Sequence, residues 1–163
     1  MYSQPLAYFL TWGCYGTRLH GDDRGSVDRL HNRYESPYLP GNPVQVVRIQ
    51  ESLRHDAFHL NRNERNTVRE AIRQTAAIRR WRVHALNVRT EHVHLVIEAG
   101  RRGPDLVLDQ FKGWATRALR GANLLAADSP AWAVGGSTVY VWNEDQLFQV
   151  IDYVLHRQGP SLE

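Results

Sequence analysis

The chain has 163 residues, enough for one domain with a hydrophobic core, and 42% of them are hydrophobic, as is ordinary for a globular protein. No apolar run reaches the length of a membrane-spanning helix, and residues 1–5 lack the features of a signal peptide, so we expect a cytoplasmic protein without a membrane partner. The single cysteine, Cys14, excludes an internal disulfide framework and a multi-cysteine zinc site, and we expect it to be a small buried residue.

The charge balance permits a nucleic-acid partner. The chain carries 20 basic and 17 acidic residues, a net charge of +3, and Lys112 is the only lysine. The planar guanidinium of arginine suits phosphate binding and base stacking. An arginine bias also follows from a GC-rich genome, so composition alone leaves the partner open.

The first half of the chain predicts one strand, a long loop and one helix. Residues 5–15 are aromatic and apolar and predict a buried strand. From about 17 to 60 the pattern loses regularity and prolines and glycines recur, which predicts a long loop of the kind that often carries function. Asn61 and Glu64 predict a capping box for a helix that runs to about residue 80. Its predicted apolar stripe comprises Val68, Ile72, Ala76 and Ile78.

The arginines on the other faces of this helix fit two interpretations equally well. They either make its outer surface soluble or face DNA. Arg73 is one of them, and its role stays open on sequence alone.

Two strands follow. Residues 81–88 alternate in polarity, and Thr90 and Glu91 form a tight link to a strand over residues 92–98, so we expect a hairpin. His92 and His94 share one face of the second strand because side chains alternate along a strand. Two imidazoles on one rigid strand suit a single metal ion, although the spacing alone equally fits two partly solvated residues.

The last third predicts helix, strand and helix. Pro104 opens a helix that fades near Gly121, and residues 137–142 form a short strand. Asn143 is the expected cap of a closing helix, with Gln146 completing a capping box. The predicted apolar residues of the first helix are Val107, Phe111, Trp114, Ala115 and Ala118, and those of the second are Leu147, Val150, Ile151 and Val154.

These elements predict an α+β fold in a single domain over residues 1–163. The order is βαββαβ, the ferredoxin-like arrangement with an antiparallel sheet, followed by one additional helix. That helix carries Tyr153 on its polar side and would pack beside the sheet that holds the histidines. A tyrosine at such a border is ordinary unless a divalent ion lies close by.

Four segments resemble a known family. They are residues 8–17, with the sequence YFLTWGCYGT; residues 87–96, with NVRTEHVHLV; residues 112–117, with KGWATR; and residues 151–155, with IDYVL. Their content and order resemble the HUH single-tyrosine transposases, in particular the REP-associated or IS200-like tyrosine transposases. The resemblance spreads over nearly the whole chain, which makes it far more specific than the histidine pair alone.

The resemblance implies a chemistry and a set of site residues. His92 and His94 would bind Mg²⁺ or Mn²⁺, and Tyr153 would attack a phosphate of single-stranded DNA, often beside a palindromic hairpin, and become attached to the 5′ end. Related transposases take a third ligand from the tyrosine helix about one turn after the nucleophile. Arg157 stands there and cannot ligate a cation, so Gln158 is the first candidate and His156 the second.

The resemblance also implies DNA contacts. The expected DNA-binding residues are Arg18, Arg24, Arg73, Lys112 and Arg117. Trp12, Tyr15 or Trp142 could stack an unpaired base, with core packing as the alternative for each. A homodimer and a monomer both fit the sequence.

Two other enzyme classes with a histidine pair of this spacing do not fit the chain, and two further functions remain open. A histidine-triad hydrolase needs a third histidine where Val96 stands, and 163 residues are too few for an amidohydrolase barrel. A transposase-derived protein that binds DNA without cleaving it remains the main alternative. A nuclease that serves its host would use the same chemistry, so the sequence does not distinguish it from the enzyme of a mobile element.

Overall fold

The computed structural model describes residues 3–17 and 55–162. Its elements are, in chain order, β1 (Ala7–Gly13), α1 (Arg62–Arg79), β2 (Arg82–Val88), β3 (His92–Glu98), α2 (Pro104–Gly121), β4 (Ser137–Val141) and α3 (Glu144–His156). The predicted order βαββαβ with an additional helix is confirmed. Most of the predicted loop over residues 17–60 lies outside the described residues. No helix in the described ranges has the length and hydropathy needed to cross a bilayer.

The four strands form one antiparallel sheet in the order β2-β3-β1-β4. This order is the ferredoxin-like one, because the second strand of each half is separated from the first by a strand of the other half. The β2–β3 link is the predicted hairpin, closed by the Arg89 backbone N–H, which donates to the His92 carbonyl at 2.8 Å. β3 therefore lies inside the sheet, between β1 and β2.

Helices cover both faces of the sheet. α1 and α2 pack on one face against a large core that includes Leu10, Trp12 and Leu95. α3 packs on the other face against a smaller core that includes Phe9 and Val96. Because α3 covers this face, His94 on β3 is buried, and His92 at the start of the strand is partly buried.

The cap of α1 agrees with its prediction, and the cap of α3 departs from it by one residue. Asn61 Oδ1 accepts from the Glu64 N–H at 2.9 Å, and Glu64 Oε2 accepts from the Asn61 N–H at 2.7 Å. Asn143 Oδ1 likewise accepts from the Gln146 N–H at 2.9 Å. The reciprocal bond predicted for Gln146 is wrong, because its Oε1 accepts from the N–H of Trp142 instead.

Two residues predicted to be buried are exposed. Trp114 is 44% exposed, because the core face of α2 runs through Val107, Phe111 and Ala115 and leaves position 114 at its flank. Ile78 is 80% exposed, since it follows the buried Ala76 by two positions and so points to roughly the opposite side of α1.

Candidate active site

The two histidines of β3 lie side by side on the α3 face of the sheet. Their ring centroids are 4.6 Å apart, with an angle of 77° between the ring planes. Val93 and Leu95, the residues that alternate with them, are fully buried on the opposite face. The prediction that His92 and His94 share one face is confirmed.

The imidazole of His94 is held from its own sheet. Thr11 is its cross-strand partner on β1, and the Thr11 hydroxyl lies 3.0 Å from His94 Nδ1. The ring also stacks near Phe9, with centroids 6.0 Å apart and planes 26° from parallel. His94 is buried, so these neighbours fix the orientation of its ring. A hydrogen on Nδ1, donated to Thr11, leaves the lone pair of the ring on Nε2.

Tyr153 reaches the histidines from α3. Val150 and Val154 anchor the helix in the smaller core, and position 153 falls at the flank of that buried face. The Tyr153 ring centroid is 6.1 Å from that of His94 and 5.8 Å from that of Phe9. The fold thus brings together a histidine pair and a tyrosine that are about 60 residues apart in the chain.

Side chains at and just after the end of β2 contact the last turn of α3 and the segment that follows it. Asn87, the cross-strand partner of His94 on β2, donates from Nδ2 to the Val154 carbonyl at 2.9 Å. Arg89 donates from Nη1 to the Pro160 carbonyl at 2.8 Å. Sequence reasoning gave neither residue a role. The available signal was the position of Asn87 in the hairpin, where its amide side chain is expected on the same face of the sheet as the histidine pair.

The two candidates for a third ligand occupy different surroundings. Gln158 is partly buried and donates from Nε2 to the Tyr153 carbonyl at 3.2 Å. The His156 side chain is 70% exposed, and its Nδ1 lies 3.1 Å from Asp152 Oδ1. Arg157 donates from Nε to the other oxygen of Asp152 at 3.0 Å. These two hydrogen bonds, that of Arg157 first, hold the pKa of the Asp152 carboxyl below its usual value.

The side chains that most often bind metals do not form a cluster of three anywhere in residues 3–17 and 55–162. These side chains are those of histidine, cysteine, aspartate and glutamate. A cation at His92 and His94 therefore needs a further donor of another kind, such as an amide oxygen.

The predicted DNA-binding residues lie away from this site wherever they are described. Arg73 is exposed on α1 and Arg117 on α2, where its guanidinium lies 4.8 Å from the centroid of the Trp114 ring. Both helices cover the face of the sheet opposite to Tyr153. Arg18 and Arg24 lie outside the described residues.

Lys112 has a structural contact that its sequence context did not reveal. Its Nζ donates to the carbonyls of Ala133 and Gly135 at 2.9 and 2.8 Å, which ties α2 to the segment before β4. Burial lowers the pKa of this ammonium group. Its contact with DNA stays a prediction.

Cys14 and Trp12 are core residues. Burial, with smaller contributions from Glu91 and Glu64, raises the pKa of the Cys14 thiol to about 12, so the thiol is protonated at neutral pH. The prediction of a small buried residue is confirmed. Trp12 is only 1% exposed, which excludes its ring from stacking on a base in this conformation.

Comparison with solved structures finds the fold of this chain, whereas two comparisons by sequence find no match. No family model matches the chain, and no curated protein matches it. A structure of a REP-associated tyrosine transposase bound to a REP hairpin matches 94% of this chain and 67% of its own, with a TM-score of 0.50 and 13% identity. The chain has the fold of this transposase. At 13% identity the likeness concerns the fold and not the chemistry.

A second solved structure was also matched. It is a candidate transposase from Deinococcus radiodurans R1. The alignment covers 98% of this chain and 95% of that chain, with 18% identity and a TM-score of 0.49.

Proposed function

We propose that the chain is a metal-dependent endonuclease or transposase that cleaves single-stranded DNA, beside a palindromic hairpin, through a 5′-phosphotyrosine intermediate and then rejoins it. The observation that carries the proposal is the convergence of His92, His94 and Tyr153 on one face of the sheet, with the tyrosine ring centroid 6.1 Å from that of His94. The fold shared with a transposase whose structure holds a REP hairpin supports the choice of substrate.

The residues present fit a divalent cation. Two imidazoles with centroids 4.6 Å apart on one strand are a suitable donor pair, and the Thr11 hydroxyl beside His94 Nδ1 is the kind of neighbour that orients a ligating histidine. Gln158 would add an amide oxygen, the type of donor that Mg²⁺ and Mn²⁺ accept. When bound, the ion would polarise the scissile phosphodiester as a Lewis acid.

Tyr153 would then act as the nucleophile. Its phenol oxygen loses a proton and bonds to phosphorus, while the bond from phosphorus to the 3′ oxygen breaks and that oxygen leaves as a hydroxyl after protonation. Attack by a 3′ hydroxyl on the phosphotyrosine reverses these steps and joins two strands. The placement of the tyrosine on a helix whose last turn accepts a hydrogen bond from Asn87 supports this role, because attack requires a fixed approach of the phenol to phosphorus.

Four arginines and one lysine would bind the phosphates of the DNA. Arg73 and Arg117 are exposed cations on α1 and α2, and Arg18, Arg24 and Lys112 complete the proposed set. Contacts of this kind to phosphate make binding weaken as the salt concentration rises.

The test is formation of a covalent adduct. The chain is incubated with Mn²⁺ and a 3′-labelled single-stranded oligonucleotide that carries a hairpin, and products are resolved under denaturing conditions. We expect a labelled adduct with the wild type and with Phe148→Ala, a control that removes an exposed aromatic ring from the same helix, and none with Tyr153→Phe. An adduct that survives Tyr153→Phe would overturn the assignment of the nucleophile.

One observation favours a second function, a transposase-derived protein that binds DNA without cleaving it. Arg157 stands where the resembling family places a ligand, and its side chain is paired with Asp152. DNA binding without an adduct over a range of metals and hairpin substrates would support this function and overturn the nuclease.

A further inference from the structure

Three aromatic side chains form a row at the edge of the sheet. The rings of Tyr8 and Tyr140 meet edge to face with centroids 5.4 Å apart, and those of Tyr140 and Trp142 stack at 5.7 Å with planes 21° from parallel. Tyr8 is 6% exposed, whereas Tyr140 and Trp142 are 46% and 47% exposed. We call these three residues the aromatic row. The core holds one end of it, and two nearly parallel rings face solvent.

The aromatic row is separate from the site of Tyr153. Val139 and Val141 of β4 pack with the α3 core, so Tyr140, which alternates with them, points to the other face of the sheet. The row is also displaced along β1 from Thr11, the partner of His94. Tyr8 and Thr11 are three strand residues apart, which corresponds to about 10 Å.

The surroundings of the aromatic row are charged. The Tyr8 hydroxyl donates to the Arg102 carbonyl at 2.8 Å, which places the turn over residues 100–103 against the row. Arg101 and Arg102 are both exposed on that turn. At the other end, Glu144 and Asp145 follow Trp142 in the first turn of α3. Phosphates would therefore be attracted to the Tyr8 end and repelled from the Trp142 end.

We propose that the aromatic row binds unpaired bases of a single-stranded DNA segment, with Arg101 and Arg102 contacting its phosphates. Exposed aromatic faces stack on any base, and flanking arginines neutralise the backbone, which is the general composition of a single-strand site. Two half-exposed, stacked rings in a row whose buried end contacts a turn with two exposed arginines match this chemistry. The inference depends on the proposed function only for the choice of DNA, and it gives the protein an anchor for its substrate outside the site of cleavage.

The test measures affinity and not cleavage. A fluorescein-labelled single-stranded oligonucleotide is titrated with the full chain, and its anisotropy is recorded. We expect Trp142→Ala and Tyr140→Ala each to weaken binding about fivefold to a hundredfold, as is usual for the loss of one stacking side chain. Phe148→Ala removes another exposed aromatic ring, 67% exposed on α3 and outside the row, and should leave affinity unchanged.

Three further measurements keep the inference testable if an alanine variant fails to fold, and the second of them uses the wild-type protein. Trp142→Phe keeps a stacking ring and should bind within about threefold of the wild type. With the wild-type protein, an oligonucleotide that carries abasic positions throughout should bind at least as weakly as the intact oligonucleotide binds to Trp142→Ala. Arg101→Ala should lower the dependence of the logarithm of affinity on the logarithm of salt concentration by about 0.7.

The outcomes separate this inference from the proposed function. Unchanged affinity in both alanine variants, with the Tyr153 adduct still formed, overturns the aromatic row and leaves the nuclease intact. Weakened binding in these variants without any adduct in the wild type supports the row and removes the nuclease. A dimer that Trp142→Ala converts to monomers at unchanged DNA affinity would show that the row pairs two copies of this chain instead, and would overturn the inference.

Discussion

Asn87 connects the strand beside the histidines to the helix of the tyrosine, because its side-chain amide donates to the carbonyl of Val154 at 2.9 Å. Asn87 is at the same time the cross-strand partner of His94. One side chain therefore fixes the distance between the two halves of the candidate site. A helix carbonyl near a C-terminus has no partner within its helix, which makes it available for such a bond.

Asn87→Ala is expected to slow adduct formation without weakening DNA binding. Loss of the hydrogen bond should lower the free energy of unfolding by about 0.5–1.5 kcal/mol and loosen the end of α3. Hydrogen exchange of residues 152–157, single-turnover adduct formation and oligonucleotide affinity are the measurements. Asn63→Ala, at an exposed position of α1, is the matched control. Equal rates for both variants would contradict a positioning role for Asn87.

Thr11→Val is expected to reduce the affinity for Mn²⁺ about 10- to 100-fold, the usual effect of losing a residue that orients a ligating histidine. Valine has nearly the same shape but cannot bond His94 Nδ1, which would then lie buried without this partner. Calorimetric titration of the protein with Mn²⁺ measures the effect independently of cleavage.

Thr11→Ser keeps the hydroxyl and serves as the control for the preceding experiment. Its Mn²⁺ affinity should remain close to that of the wild type. If valine and serine weaken binding equally, the hydroxyl does not orient His94.

Cys14 is expected to make the fold less stable in alkaline solution. Its pKa is raised from 9.0 to about 12 in the folded state, so the folded chain favours the protonated thiol. The stabilisation is fully present below pH 9 and is lost as the pH rises from 9 toward 12, where the unfolded thiol ionises first. Urea unfolding at pH 7.5, 9 and 10 should show a smaller decline for Cys14→Ala than for the wild type. Parallel declines in the two proteins would exclude this contribution.

Phe111 and Trp114 lie three positions apart on α2 but should differ strongly in their contribution to stability. Phe111 is fully buried, and Phe111→Ala should cost about 3–5 kcal/mol. Trp114 is 44% exposed beneath Arg117, and its replacement by alanine should cost clearly less than that of Phe111, because it leaves no closed cavity in the core. Denaturant unfolding compares them, and similar costs would contradict the placement of Trp114 outside the core.

Local pattern was sufficient for several features that the residues of one element decide, although the reciprocal bond predicted for Gln146 was wrong. The capping box at Asn61, the hairpin link at Thr90 and Glu91, and the shared face of His92 and His94 all depend on spacing along a few residues. Trp114 was misplaced because an apolar residue at the flank of a helix stripe fits either the core or the surface, and the neighbouring helix decides between them.

By itself the sequence determined the α+β class, the order of the elements and the candidate residues His92, His94 and Tyr153. Only the tertiary structure decided that the tyrosine lies beside the histidines, that Asn87 clamps its helix, and that Tyr140 and Trp142 form an exposed row. The physical reason is that the periodicity of a sequence indicates which side of a helix or strand a residue occupies. The residues that this side contacts depend on the order of the strands and on the packing of α3 against the sheet.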